Sequence, residues 1–139
     1  MKMKVLILVK TYPAISSKYG ETVCTAGITE EGKWIRIYPL PFRKMPKECK
    51  FSKYDWLEID LDQNKSDIRP ESYRPNNFND IKVIGRIEAD GGAWFDRRKY
   101  VLKNVYTNLD KLIKEAQTKA ICTSLAIFKP KKIIDFTFE

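Results

Sequence analysis

Five consecutive residues, Trp34-Ile35-Arg36-Ile37-Tyr38, alternate an aromatic or cationic side chain with an aliphatic one. Successive side chains of a strand point to opposite faces, so Trp34, Arg36 and Tyr38 share one face while Ile35 and Ile37 take the other. The same rule sets Tyr54 and Trp56 against Leu57 and Ile59 further along. Aromatic rings interleaved with arginine are what base stacking requires, because every base presents a π-face and a guanidinium can meet the phosphate beside it. Arg43 and Lys44 follow in a proline-rich loop, and Arg97 and Arg98 come later; these four are the candidate phosphate contacts. The competing reading of the same pattern is structural. Trp34, Tyr38 and Trp56 would pack under a C-terminal helix as a second core layer, giving a sheet covered on both sides. Alternation alone leaves both readings open.

Much other chemistry is excluded. The chain has no histidine, which removes His-based triads, His acid–base catalysis and His-containing metal sites. It has neither a G-x-x-x-x-G-K-[ST] nor a G-x-G-x-x-G loop, so a glycine-rich phosphate cradle is not indicated and no cofactor is expected. Glu58, Asp60, Asp62, Asp67 and Glu71 offer oxygen ligands for Mg²⁺ in phosphoryl transfer. The alternative for them is a solvated strand edge and loop, and no metal is assigned. Cys24, Cys49 and Cys122 are odd in number and widely spaced, which suggests neither a disulfide framework nor a C-x-x-C site. Cys24 and Cys122 read as inert buried thiols, and the expected compartment is the reducing cytoplasm.

The elements that must position these residues come from a chain of 139 residues, 43% hydrophobic and 32% charged, the size of one domain able to bury its own core. A single domain over residues 1–139 is expected, with the abrupt end at Glu139 leaving open a fragment of something longer. The apolar run in residues 5–9 is far too short to span a bilayer, and no membrane association is expected. The net charge of +8 is uneven: +7 over residues 1–54, −4 over 55–80 and +5 over 81–139. Basic proteins gain affinity for polyanions by releasing their counterions, so nucleic acid is the first partner to consider and an acidic protein the second. A lysine-rich surface that serves only solubility has the same composition.

Residues 4–10 read as a buried first strand, and residues 21–28 with 34–38 as a hairpin across Glu30-Glu31-Gly32-Lys33. Pro39, Pro41 and Pro46 should stop its second arm, because proline lacks the amide hydrogen of a ladder. Residues 54–61 alternate cleanly, with Leu57, Ile59 and Leu61 on one face. Residues 62–79 read as an irregular excursion, 81–87 as a strand and 93–103 as a short helix. Thr107-Asn108-Leu109-Asp110 forms a capping box ahead of Leu109, Leu112, Ile113 and Ala116 at helical spacing. Residues 124–128 and 133–138 read as closing strands. The fold class that results is α+β: a small, mainly antiparallel β-barrel or strongly bent sheet with one or two helices of the C-terminal half packed on it.

The segments Val23-Cys24-Thr25-Ala26-Gly27-Ile28 and Gly32-Lys33-Trp34-Ile35-Arg36, followed by Tyr54-Asp55-Trp56-Leu57-Glu58 and by Arg69-Pro70-Glu71-Ser72-Tyr73-Arg74-Pro75, carry a likeness. They resemble the dual OB-containing domains and related small β-barrel modules of prokaryotes, in which a V-C-x-x-G-I strand precedes a G-x-W-I-R strand. The resemblance implies an OB-like barrel and a nucleic-acid-associated role in mobile-element or defence settings, and it carries no catalytic residues. A PUA-like barrel that reads modified nucleotides needs the same strands. The function expected is therefore a nucleic-acid-binding accessory module, with a protein-interaction module as alternative and a metal-dependent phosphoryl-transfer enzyme after that.

Overall fold

A computed structural model of the chain describes residues 1–17 and 20–138. Among these residues nine strands run β1 (Lys2–Lys10), β2 (Ala14–Ser16), β3 (Gly20–Ile28), β4 (Trp34–Leu40), β5 (Asp55–Gln63), β6 (Ser72–Pro75), β7 (Lys82–Arg86), β8 (Val105–Tyr106) and β9 (Ile127–Phe128), with helices α1 (Phe95–Val101) and α2 (Leu109–Gln117). Five of the strands close on themselves in the order β1-β3-β4-β6-β5, with β5 returning to β1. All their pairings are antiparallel except β4 with β6. The result is a small closed barrel, a mainly antiparallel α+β architecture compatible with an OB-like fold.

Closure follows from the alternation. Val5 and Ile7 of β1, Ile35 and Ile37 of β4, and Leu57, Ile59 and Leu61 of β5 point inward and are completely buried or nearly so. Leu40, Met45, Phe51, Tyr73 and Ile81 plug the ends. Leu6, between Val5 and Ile7, is equally buried but faces outward, where it meets Ile28 and Ile87 in a second, smaller core. This is why β1 reads as a continuous apolar run: both of its faces are covered.

Several sequence expectations need correcting. The stretch 62–79 is not irregular throughout, because β6 lies within it and pairs with both β4 and β5 to close the barrel. Pro39 does not end the second arm of the hairpin, and β4 runs on to Leu40. Val23 faces Leu40 and Thr25 faces Ile37, so Tyr38 and Pro39 together oppose the single residue Cys24 in a bulge, where a proline displaces no ladder bond. The cap of α2 is Asn108 rather than Thr107: its Oδ1 accepts from the Lys111 amide at 3.0 Å. Only Ile127 and Phe128 of the first closing segment form a strand, parallel to β8. Residues 133–138 form none, and Phe136 and Phe138 are exposed, edge to face with each other at 5.1 Å.

Thr25 sits across from Ile37 inside the barrel, fully buried, and its hydroxyl finds no partner among the described residues. An unsatisfied buried hydroxyl carries its desolvation cost with nothing in return. Thr25→Val, which keeps the branched shape, is therefore expected to raise stability by about 1 kcal/mol, read as an increased urea midpoint at unchanged slope. A lowered midpoint would mean that the hydroxyl is hydrogen-bonded in solution.

Candidate functional site

The candidate stacking residues divide between two places. Trp34, Tyr54 and Trp56 do lie on the outer face of the barrel, and they are half-buried against Leu6, Ile28 and Ile87. Tyr54 and Trp56 are covered from α1, whereas Trp34 borders a cleft that it shares with Tyr106, Asn108 and Lys111 at the start of α2. Tyr100 meets Trp56 edge to face at 5.2 Å, and Trp94 approaches Tyr54 at 5.9 Å. Arg97 sits over Tyr54, its Cζ 3.7 Å from the ring centroid, and its Nε donates to the Ile87 carbonyl at 3.2 Å, so this guanidinium clamps α1 onto the barrel. Arg98, on the other side of α1, is exposed. A smaller second cluster therefore takes in Trp34, Tyr54, Trp56 and Tyr100 of the shorter helix, and the expected third member, Tyr38, is not part of it.

Arg36 and Tyr38 face a different neighbourhood. Arg36 donates from Nε to the Cys24 Sγ at 3.3 Å and from Nη1 to Asp67 Oδ2 at 3.2 Å. Asp67 also accepts from Arg69 Nε and Nη2 at 2.8 and 2.7 Å, from the Arg69 amide and from the Ser72 hydroxyl. The bidentate Arg69 guanidinium holds the Asp67 carboxyl well below the usual carboxylate range, against the opposing effect of burial. Cys24 and Cys122 are half-buried rather than buried, while Cys49 is buried and donates to the Asn79 carbonyl.

The acidic residues are scattered over separate tasks. Asp60 accepts from Asn76, Asp67 belongs to the arginines, and Glu71 accepts from the backbone and hydroxyl of Ser124, tying the C-terminal segment to the barrel. No three Asp, Glu or Cys among the described residues come together as a metal would need.

Where Arg43 lies, a more cationic arrangement appears. Residues 11–13, which leave the end of β1, and the long connection from β4 to β5 flank an open cleft of about 610 Å³ lined by Lys10, Tyr12, Phe42, Arg43, Lys50 and Lys53. Lys10 Nζ rests 3.2 Å from the centroid of Phe42 and donates to the Phe51 carbonyl. Burial first, and then repulsion from Lys50, lower the Lys10 pKa, with Asp55 pulling the other way. Asp55 is committed elsewhere: its oxygens accept from Arg86 at 2.6 and 3.1 Å and from the Ser52 amide at 2.7 Å. Burial works to raise its pKa, but these partners together with Lys10 outweigh it and hold Asp55 below its ordinary value. Within ion-pair distance, Arg43 has Glu21 at 3.0 Å. Tyr12 is almost completely exposed at the lip, and the exposed Lys44 lies in the same connection as Arg43.

Sequence reading named Arg43 and Lys44 here but missed Lys10, Tyr12, Lys50 and Lys53. The available sign was the +7 balance of residues 1–54; what it lacked was the barrel end that gathers two distant segments.

The C-terminal third has apolar surface of another kind. Leu109 and Ile113 on the apolar side of α2, with Ile133 and Ile134, are exposed, so the apolar stripe that predicts a core-facing helix does not bury one. No helix among the described residues is long and apolar enough to cross a membrane.

Residues 1–103 match a family described as Domain of unknown function (DUF8758), a span that takes in the barrel and α1. Neither a curated protein nor a solved structure matches the chain.

Proposed function

We propose that this chain, which belongs to the DUF8758 family of domains, is a nucleic-acid-binding accessory module whose primary contact is the cationic cleft at the end of β1. One observation carries the reading: Lys10, Arg43, Lys50 and Lys53 line a single open cleft together with the rings of Tyr12 and Phe42. Cations spaced along a groove follow a phosphate backbone, and an exposed ring at its lip offers a base somewhere to stack. The repulsion between Lys10 and Lys50 is relieved when a polyanion enters, which adds a driving force that a neutral ligand does not provide. Further support comes from the closed barrel and from the likeness of residues 23–36 to the dual OB-containing domains, a likeness that also suggests a prokaryotic setting.

In this reading Trp34, Tyr54 and Trp56 have a positioning role, fixing the sheet and α1, and Arg43 and Lys44 keep the phosphate contacts expected of them. The cytoplasm is the compartment in which such a polyanion partner is met.

The test is a fluorescence-anisotropy titration with a labelled single-stranded oligonucleotide at several salt concentrations. Four phosphate contacts give a slope near −3 in log K against log salt, which is a loss of about 50-fold between 50 and 200 mM. Lys50→Ala combined with Lys53→Ala should flatten that slope by about 1.4 without changing the thermal midpoint, since both lysines are exposed. Unchanged affinity and slope in the double variant would place the binding elsewhere.

A further inference from the structure

We propose that the arginine-lined cleft over β4 and β6 is a second site, specific for a phosphate monoester. The cleft, of about 390 Å³, is lined among others by Arg36, Tyr38, Ser66, Asp67, Arg69 and Arg74. Its lining carries three guanidiniums and one carboxylate; the Glu71 carboxylate acts on Arg69 from outside that lining, so the cleft is net positive, and a phosphate monoester at neutral pH carries close to two negative charges.

The chemistry of Asp67 supports binding instead of opposing it. Its two oxygens already accept five hydrogen bonds, from Arg36, from Arg69 three times and from Ser72. A carboxylate has about four lone-pair sites, so Asp67 is saturated as an acceptor. What it does is hold two guanidiniums in fixed orientations. Each guanidinium has five N–H donors. The contacts to Cys24 and Asp67 engage the Nε and Nη1 of Arg36, and those to Asp67 the Nε and Nη2 of Arg69, so donors on both remain for an incoming oxygen. With the Arg36 side chain only 17% exposed and that of Asp67 13%, little water screens the pair and little reorganisation is needed on binding.

A purely structural staple explains less of the arrangement. Arg69 alone neutralises Asp67 in a bidentate pair. Arg36 then adds a second positive charge, and Arg74 a third: its Nη2 donates to the Ser66 hydroxyl at 2.8 Å, and among the described residues no carboxylate lies within ion-pair distance of it. Ser66 is itself held by Asn64. Like charges gathered with only partial compensation cost stability, and a dianionic ligand is what would offset that cost.

The phosphate monoester can come from a free nucleotide or from the 5′ end of a strand, and the proposal does not depend on the cationic cleft. The experiment uses adenosine 5′-monophosphate with adenosine as control, and a labelled oligonucleotide with either a 5′-phosphate or a 5′-hydroxyl. Each is titrated against the wild type, Arg74→Gln and the Lys50→Ala/Lys53→Ala variant. Arg74 is exposed, so its replacement should leave the thermal midpoint in place.

The expected result is binding of the monophosphate, not of adenosine, weakened at least tenfold by Arg74→Gln. The 5′-phosphorylated strand should bind at least fivefold tighter than its hydroxyl twin, a difference that Arg74→Gln removes and the lysine variant keeps. Strand discrimination without monophosphate binding assigns the site to strand ends, and the reverse pattern assigns it to free nucleotides. If neither phosphate gives a gain that depends on Arg74, the cluster is a staple and the proposal is wrong. Loss of all strand binding only in the lysine variant speaks to the cationic cleft and leaves the monophosphate result to decide this site.

Discussion

Gly27→Ala is expected to cost about 3 kcal/mol. Gly27 lies in β3 opposite Ile7 of β1 and Ile35 of β4. A Cβ added there would stand 2.2 Å from the Leu6 carbonyl oxygen and 2.7 Å from a Val5 methyl. Neither neighbour can give way. β1 is held by β3 on one edge and by β5 on the other, with Leu6 opposite Trp56, and Val5 is packed in the barrel interior. The clash is relieved only by pulling β1 away from β3, which opens the barrel at a closing seam. In a urea titration the midpoint should fall at unchanged slope, and in a thermal scan by roughly 10 °C for a chain of this size. A loss below about 1 kcal/mol would mean that the β1–β3 seam is looser than the pairing describes.

The same seam shows what was readable from the sequence and what was not. Leu57, Ile59 and Leu61 alternate with polar residues, and Ile35 and Ile37 alternate with Trp34, Arg36 and Tyr38; these patterns are local, and both strands emerge with those faces inward. β6 is different. Its buried members are Ser72 and Tyr73, next to the buried Glu71, and a short strand that buries a serine and follows a buried carboxylate shows no apolar period. Those groups are buried because Asp67 and Ser124 satisfy them, and partners 5 and 53 residues away leave no mark on the local pattern. The helical stripe of α2 misled in the opposite sense, since amphipathicity tells which side of a helix is apolar and not whether anything covers it.

The candidate sites follow the same logic. Arg36 was legible as an outward-facing residue, but its ion-pair partner Asp67 is 31 positions on and reads from sequence as one more acid in an acidic stretch. Lys10, Lys50 and Lys53 contribute to the basic count of residues 1–54 without showing that they converge. Convergence is a property of closure: the barrel returns the β4–β5 connection to the end of β1, and only then do four cations share a cleft.

Asp67 supplies the second large effect. Replacing it by alanine should cost about 3 kcal/mol, because Arg36 and Arg69 would keep their charges in a half-buried cleft and Ser72 would lose its acceptor. The carboxyl is held well below its ordinary value of 3.8. A depressed carboxylate contributes stability that is fully present above the unfolded-state pKa and is lost as pH falls toward the folded-state value. Wild-type stability should thus be level above about pH 5 and decline steadily from about pH 4 downward. Asp55, lowered by Arg86, Ser52 and Lys10 against its burial, adds to the same decline, so Asp67→Asn should flatten the acid limb in part and not abolish it. Denaturant titrations from pH 2.5 to 6 on both proteins separate the Asp67 contribution from that of the other lowered carboxylates, Asp55, Asp60 and Glu31. An acid limb of equal slope in wild type and Asp67→Asn would show that Asp67 is not held as its five hydrogen bonds require. It would also remove the fixed orientation of Arg36 and Arg69 on which the phosphate site depends. A depressed Asp67 is therefore a condition of the phosphate site, because the same bonds that depress the carboxyl are the ones that aim the guanidiniums.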